Sequence, residues 1–281
     1  MPTQLGASPM QAAFREGSSP LDLVSAVQTD YGLYVADGTQ RFCFGQRFLT
    51  NDGRVFKYAK AGGSLNIDLL AQSVVAQHIS YSTAAVAAKA GDRKVSVAVA
   101  VTDGAAGGGA IAKDELAGGY IVIFSDVVAT MNRGIVGNTA VAAGGSTTVI
   151  IEVDRPLHVA VTAATSFHEV MASPYSSIKA STTGDRNRGF VGLPMVEATS
   201  GQCLWIQTWG PCWVAPQGDL GAAADANQAV ARYDGSIDVH MNASAEGGTG
   251  YNYPQQHVGF VLSHAPAGTQ GAPFVMLQIS T

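Results

Sequence analysis

Apolar and polar residues alternate with a period of two along much of this chain. Residues 95–101 place valine at every second position, and residues 147–153 follow a similar pattern after a Gly-Gly-Ser turn. Successive side chains of a strand point to opposite faces, so these runs predict half-buried strands. Residues 120–124, 190–196 and 258–262 are short apolar runs typical of buried strands. Since little of the chain has helical period, we predict an all-β protein, a β-barrel or β-sandwich with glycine-rich loops.

Residues 41–60 contain the strongest hairpin signal. Aromatic-rich runs flank Asn51-Asp52-Gly53, and an Asp-Gly pair there predicts a tight turn with positive φ at both central positions. Such a hairpin can dock on an acidic protein surface, or it can be a core hairpin with solvated arginines. The segment holds five basic residues against the single acid Asp52: Arg41, Arg47, Arg54, Lys57 and Lys60.

The three tryptophans fall within nine positions, at Trp205, Trp209 and Trp213. Pro211 has no N–H for a β-ladder, so residues 201–216 are predicted to form a strand, a turn and a second strand. No reactive group stands among the rings. This segment therefore indicates a packed sheet or an assembly surface rather than a catalytic site.

The composition favours a protein that buries much of its surface against neighbouring protein molecules. Hydrophobic residues make up 47% of the chain and charged residues only 13%, about half the usual ~25%. The formal net charge of −5 argues against nucleic-acid binding, although basic aromatic strands can bind single strands. No run is apolar and long enough to cross a membrane.

Candidate catalytic or metal-binding groups are few. The six histidines lack zinc-motif spacing, and the glycine-rich residues 104–109 lack the lysine of a phosphate loop. Asp238 and His240, with Asp234 nearby, form either half of a metal site or a polar strand surface. We expect no enzyme activity, no metal and no cofactor.

The three cysteines, Cys43, Cys203 and Cys212, show no metal or redox spacing. Cys203 and Cys212 could form a disulfide across the predicted tryptophan hairpin. Buried free thiols are the favoured alternative, because residues 1–4 show no pattern of a secretory signal.

The polar, turn-like segment 181–188 suggests a seam between two β domains. The predicted organisation is an N-terminal arm at 1–40, a first β domain at 41–183 and a second at 184–281, a small barrel with the tryptophan hairpin. Residues 18–27 fit a short helix with a serine N-cap, and an extended arm is the alternative.

Several segments resemble structural proteins encoded by tailed bacteriophages. They are residues 53–63, 117–122, 204–212 and 258–262, and the resemblance covers residues 40–281 in the same order. That group resembles capsid decoration (cement) proteins, which are β-rich, often trimeric, and sit on the outer shell at three-fold sites. The resemblance implies a virion protein on the outer capsid surface, with the major capsid protein and its own copies, as a homotrimer, as partners. It implies no catalytic residues and no direct contact with nucleic acid or membrane.

We expect residues 1–30 to form an arm that orders on the shell and the 41–60 hairpin to touch it. The alternative function is a head fibre or tail component that binds a host receptor or glycan, for which Tyr251 and Tyr253 offer stacking rings. The predicted interface residues are Arg41, Phe44, Arg47, Arg54, Lys57, Tyr58, Trp205, Trp209 and Trp213.

Overall fold

The computed structural model describes residues 32–74, 77–126, 129–144, 147–181, 189–216, 220, 227–239, 256–263 and 274–281. These residues form strands and no helix, which confirms the all-β prediction. The strands are β1 (Arg47–Leu49), β2 (Val55–Lys60), β3 (Ala71–Ser73), β4 (Gln77–Val86), β5 (Lys94–Val99), β6 (Tyr120–Ser125), β7 (Ala129–Asn138), β8 (Thr147–Val153), β9 (Phe167–Met171), β10 (Ile178–Ala180), β11 (Phe190–Pro194), β12 (Cys203–Trp213), β13 (Gln228–Ala231), β14 (Ile237–Val239), β15 (His257–Ser263) and β16 (Phe274–Gln278).

The chain forms two compact units. Unit 1 takes its described residues from 32–42, Gln46–Ser73 and 178–281, and unit 2 takes them from Cys43–Gly45 and 74–177. This grouping differs from the predicted domains 41–183 and 184–281. The reason is long-range pairing, because β2 forms its longest ladder with β12, about 150 residues later in the chain.

Unit 2 is a closed six-stranded barrel in the order β4-β5-β8-β7-β6-β9, with antiparallel neighbours. Closure leaves these strands without a free sheet edge. The alternating runs predicted as strands are confirmed as β5 and β8, and the apolar run at 120–124 is confirmed as β6. Every second side chain of β5 and β8 is buried in register, as where Val97 pairs with Val149 and Val95 with Ile151.

Unit 1 is built around a ten-stranded sheet in the order β10-β3-β11-β12-β16-β15-β13-β14, with β2 and then β1 added beside β12. The last two strands, β15 and β16, pair antiparallel. One face of these strands forms a core in which Cys212, Val275 and Leu277 are buried together. The fold of unit 1 thus depends on strands from distant parts of the chain meeting on β12.

Strand β12 runs without a break from Cys203 to Trp213, so the predicted strand, turn and strand is wrong. The Ile279 N–H donates to the Thr208 carbonyl at 3.0 Å, so Trp209 and Gln278 form a non-hydrogen-bonded pair. Hydrogen-bonded and non-hydrogen-bonded pairs alternate along an antiparallel ladder, so Pro211, two positions further on, is also in a non-hydrogen-bonded pair. The nitrogen of Pro211 therefore faces away from β16. This nitrogen faces the side of β12 that pairs with β2, and the ladder with β2 ends before Pro211, at the pair of Trp209 and Val55. Pro211 therefore removes no hydrogen bond that the sheet needs.

The hairpin of β1 and β2 confirms the signal in residues 41–60, but its turn is wider than predicted. The Thr50 N–H donates to the Arg54 carbonyl at 3.0 Å, and the Gly53 N–H donates to the Thr50 carbonyl at 3.0 Å. Within this turn positive φ occurs at Gly53 (+84°) and not at Asp52. The Asp52 carboxylate instead accepts hydrogen bonds from Thr50 and Arg54, which holds the wider loop closed.

Four sequence predictions fall on residues outside the described ranges. They concern the arm up to residue 31 with its alternative helix, the seam at 182–188, the rings of Tyr251 and Tyr253, and His240 of the possible metal site.

The barrel contains one fully buried histidine, His168 on β9, with 0% exposure. The residues paired with it, Ile123 and Ser82, are uncharged. Neither ring nitrogen reaches a hydrogen-bond partner of normal geometry among the described residues. Burial lowers the pKa of His168 from its ordinary 6.5 to about 4, and the backbone of Ser82 opposes this shift only in part.

We predict that His168 makes the barrel sensitive to acid. The unfolded chain takes up this proton near pH 6.5 and the folded barrel only near pH 4, so stability is full above pH 6.5 and falls toward pH 4. The loss from this one group is on the order of 3 kcal/mol. Urea unfolding followed by circular dichroism between pH 4 and pH 7 should show this loss in the wild type and not in His168→Leu.

The matched control is His257→Leu, which removes an exposed histidine of β15 and should keep the wild-type pH dependence. An identical pH dependence in His168→Leu and the wild type would contradict the prediction.

Candidate interaction surface

The structure separates the nine predicted interface residues by exposure. Tyr58 and Trp205 are buried in unit 1, so their side chains face the interior. Phe44 lies in unit 2, where its carbonyl lies against Gly118. Trp209 is half-buried. The remaining members with surface exposure lie in unit 1: Arg41, Arg47, Arg54, Lys57 and Trp213.

Trp205 is the centre of an aromatic cluster formed with Phe42, Phe48 and Tyr58. Its ring centroid lies 5.2, 5.7 and 5.1 Å from theirs, respectively, within the range of favourable ring pairs. Burial raises the pKa of Tyr58 to about 12, and its hydroxyl oxygen accepts a hydrogen bond from the backbone N–H of Arg41 at 3.1 Å. This cluster anchors the 41–60 hairpin to β12.

Arg47 and Lys57 lie directly opposite each other on β1 and β2. Burial lowers the pKa of Lys57, and the nearby Arg47 charge lowers it further. Among the described residues neither side chain forms an ion pair, whereas Arg54 pairs with Asp52 at 2.8 Å and Arg41 pairs with Asp37. Like charges directly opposite across two strands destabilise a sheet. The hairpin thus presents two adjacent positive charges without a carboxylate.

A second exposed feature is the outer face of β12, β16 and β15, opposite the core face. Trp213 pairs with Phe274, and Met276 pairs with both Pro211 and Phe260. Trp213, Phe274 and Phe260 are 38, 46 and 39% exposed, respectively. Large apolar side chains are therefore grouped on a sheet face toward solvent.

At one margin of this face lies an open groove of about 360 Å³ within unit 1. Trp213 and Phe274 line it together with Ile67, Asp68 and the ion pair of Asp52 and Arg54. The Arg54 guanidinium also lies 5.6 Å from the centroid of the buried Phe56 ring, which fixes its position further.

The side chain of Gln207 is buried at the floor of the groove, where it is bonded to the backbone of β12. Its amide nitrogen donates to the carbonyls of Trp209, Gly210 and Pro211 at 3.2, 3.1 and 3.0 Å. Gly210 takes φ of +102°, and a Cβ there would lie 2.9 Å from Arg54 Cγ. Glycine is therefore required for β12 to pass so close to the ion pair.

The carboxylates considered for a metal site have protein partners. Asp238 forms an ion pair with Arg232 at 2.7 Å, and Asp234 accepts hydrogen bonds from Ser236. His240 lies outside the described ranges. Within those ranges no three His, Cys, Asp or Glu side chains cluster as a metal site would require. In the same part of the chain, no helix is apolar and long enough to cross a membrane.

All three cysteines are free thiols, so the disulfide alternative is wrong and the free-thiol alternative is confirmed. Cys203 and Cys212 lie near the two ends of β12, and nine residue-to-residue steps along the strand separate them by roughly 30 Å. Burial raises the pKa of Cys212 to about 12 and also raises that of Cys203. Both thiols are thus poor nucleophiles at neutral pH.

The chain matches no protein-family model, no curated protein and no solved structure. Sequence reasoning did not select Phe260, Phe274 or Asp68 for an interface. Alternation in the last two strands could have placed Phe260 on an outward face, but the pairing of Phe274 with Trp213 depends on the register of β16 with β12.

We predict that Trp205 and Trp213 have different roles. Trp205→Ala should lower the free energy of unfolding by about 3–5 kcal/mol, because it empties the centre of the aromatic cluster. Trp213→Ala should lower it by less than about 1 kcal/mol, because this ring stands at the surface. Urea unfolding of both variants, followed by far-ultraviolet circular dichroism, measures the difference. Equal losses in the two variants would show that Trp205 is not an anchor of unit 1.

Proposed function

We propose that this chain is a structural virion protein that decorates and stabilises the outside of a tailed-phage capsid by bridging capsomers. Its partners in this proposal are the major capsid protein and further copies of the chain, as a trimer. The resemblance to phage structural proteins supplies the class of particle. The observation that carries a docking role is the unpartnered pair of Arg47 and Lys57 on the hairpin.

The arrangement of this pair favours an acidic partner. Two opposed cations weaken the free hairpin by an amount on the order of 0.2–1 kcal/mol, so stability alone does not account for them. A carboxylate from a partner surface placed between them would remove the repulsion and complete two charge-assisted hydrogen bonds. The feature that lowers stability in the free chain would thereby strengthen the complex.

Charge distribution also favours one orientation of docking. The chain has 16 basic and 21 acidic residues, so its surface away from the hairpin is acidic on balance. An acidic shell repels that surface and attracts the hairpin, which steers the encounter toward a single face. Repeated over many copies, weak contacts of this kind can give tight attachment through avidity.

The abundance of the chain in virions tests the proposal first. Quantitative mass spectrometry of purified particles should find this chain in numbers close to those of the major capsid protein, because decoration repeats over the whole shell. A handful of copies would contradict decoration and favour a head fibre or tail component. Absence from the particle would overturn the structural role altogether.

Charge reversal at Arg47 tests the docking surface. Arg47→Glu should raise the free energy of unfolding by about 0.2–1 kcal/mol, because it creates an opposite-charge pair with Lys57. The same change should weaken binding to phage heads that lack this protein by at least about tenfold, because it removes one cation and neutralises the other. Urea unfolding and co-sedimentation with heads at low and high salt measure the two effects.

The matched control is Lys89→Glu, an exposed position of unit 2. It changes net charge as much as Arg47→Glu does, and it should leave head binding close to wild type. Wild-type binding by Arg47→Glu, or an equal loss in the control, would contradict docking through the hairpin.

A further inference from the structure

We propose that the groove beside Trp213 and Phe274 is a binding site for neutral saccharides, with a hexopyranose ring stacked on Trp213. This role is separate from capsid attachment through Arg47 and Lys57 and does not depend on it. It rests on the combination of exposed rings and ionic side chains in one groove.

The aromatic part of the groove suits the apolar face of a sugar ring. Trp213 and Phe274 are opposite each other on neighbouring strands, and both line the groove. Both are partly exposed without a ligand, and Ile67, 45% exposed, adds an apolar wall. Aromatic rings with polar side chains beside them are typical of binding sites for amphipathic ligands. One face of a pyranose, with several axial C–H groups, has this character.

The polar part of the groove suits hydroxyl groups. The Asp52 carboxylate and the Arg54 guanidinium, held 2.8 Å apart, place an acceptor and donors side by side. Vicinal sugar hydroxyls donate to the first and accept from the second. Asp68 adds an exposed carboxylate that makes no hydrogen bond through its side chain to any described residue, while its backbone carbonyl is fixed by the Ala215 N–H at 2.9 Å.

Charge selects among saccharides. Asp52 neutralises Arg54, so the uncompensated charge of the groove is the negative charge of Asp68. Sialic and uronic acids would bring a carboxylate toward this charge and are disfavoured. Neutral hexoses and N-acetylhexosamines meet no such repulsion, and they are the assigned class.

Shape favours a small ligand over a protein partner. A volume of about 360 Å³ lies at the small end of ligand sites, which span roughly 300–1,000 Å³. The floor is held in advance by the Gln207 amide and its three carbonyl acceptors. Binding therefore requires little reordering of the backbone, which favours measurable affinity from few contacts.

The test is an array of immobilised neutral and acidic oligosaccharides probed with the full chain, followed by titration of the best sugar with tryptophan fluorescence. We expect binding to neutral hexose or N-acetylhexosamine glycans, with a change in emission from Trp213. Trp213→Ala should weaken this binding at least tenfold, and Asp68→Asn several-fold. No binding to the neutral glycans, or preferential binding to the acidic ones, would overturn the proposal.

Phe260→Ala is the matched control, because Phe260 is exposed to a similar degree on the same sheet but does not line the groove. It should bind the sugar as the wild type does, and an equal loss in this variant would overturn the assignment to the groove. Head binding separates the two proposals. Trp213→Ala should still bind phage heads, and Arg47→Glu should still bind the sugar.

Discussion

Unit 1 depends on strand β12, because three other strands use it as their hydrogen-bonding partner. Its first half lies between β2 on one side and β11 on the other, and its second half pairs with β16. Residues 203–208 are also buried on both faces, which is unusual for a strand in an antiparallel sheet. The same strand then reaches the surface at Trp213, so the interior and the groove share one continuous backbone.

This arrangement ties the proposed sites to the core. The aromatic cluster around Trp205 holds the hairpin that presents Arg47 and Lys57, while the far end of β12 presents Trp213 beside Arg54. The two surfaces differ in electrostatics. The hairpin pair lacks counter-charges among the described residues, whereas the groove has its arginine neutralised by Asp52. One sheet thus carries both the proposed docking surface for an anionic partner and the proposed binding site for uncharged ligands.

The sequence was informative where structure is local. Alternation predicted β5 and β8, a short apolar run predicted β6, and the Asp-Gly signal placed the hairpin of β1 and β2, because each depends only on neighbouring residues. Strand β12 could not be predicted as continuous, since the effect of Pro211 depends on which side its nitrogen faces, and that follows from pairing with β16. Strand β7 was missed because glycine and polar residues interrupt its pattern over Ala129–Asn138.

The candidate surfaces also depend on pairing between distant residues, which local sequence patterns do not predict. An aromatic residue within a strand can face the core or solvent, so the sequence grouped the buried Tyr58 and Trp205 with the exposed Trp213. The opposition of Arg47 and Lys57 follows from the register of the hairpin, which the wider turn at residues 50–54 determines. The groove brings together residues from four distant parts of the chain, and no local pattern encodes such a meeting.

The chain leaves the sheet of unit 1 through β3 and returns through β10, which is the antiparallel neighbour of β3. The whole barrel is therefore inserted where an ordinary hairpin would need only a short loop. In evolutionary terms such an insertion is modular, because the barrel can be lengthened, exchanged or lost while Ser73 and Ile178 keep the same pairing. The order of synthesis imposes a constraint on folding. Strand β2 can pair with β12 only after the entire barrel, which lies between them in the sequence, has emerged from the ribosome.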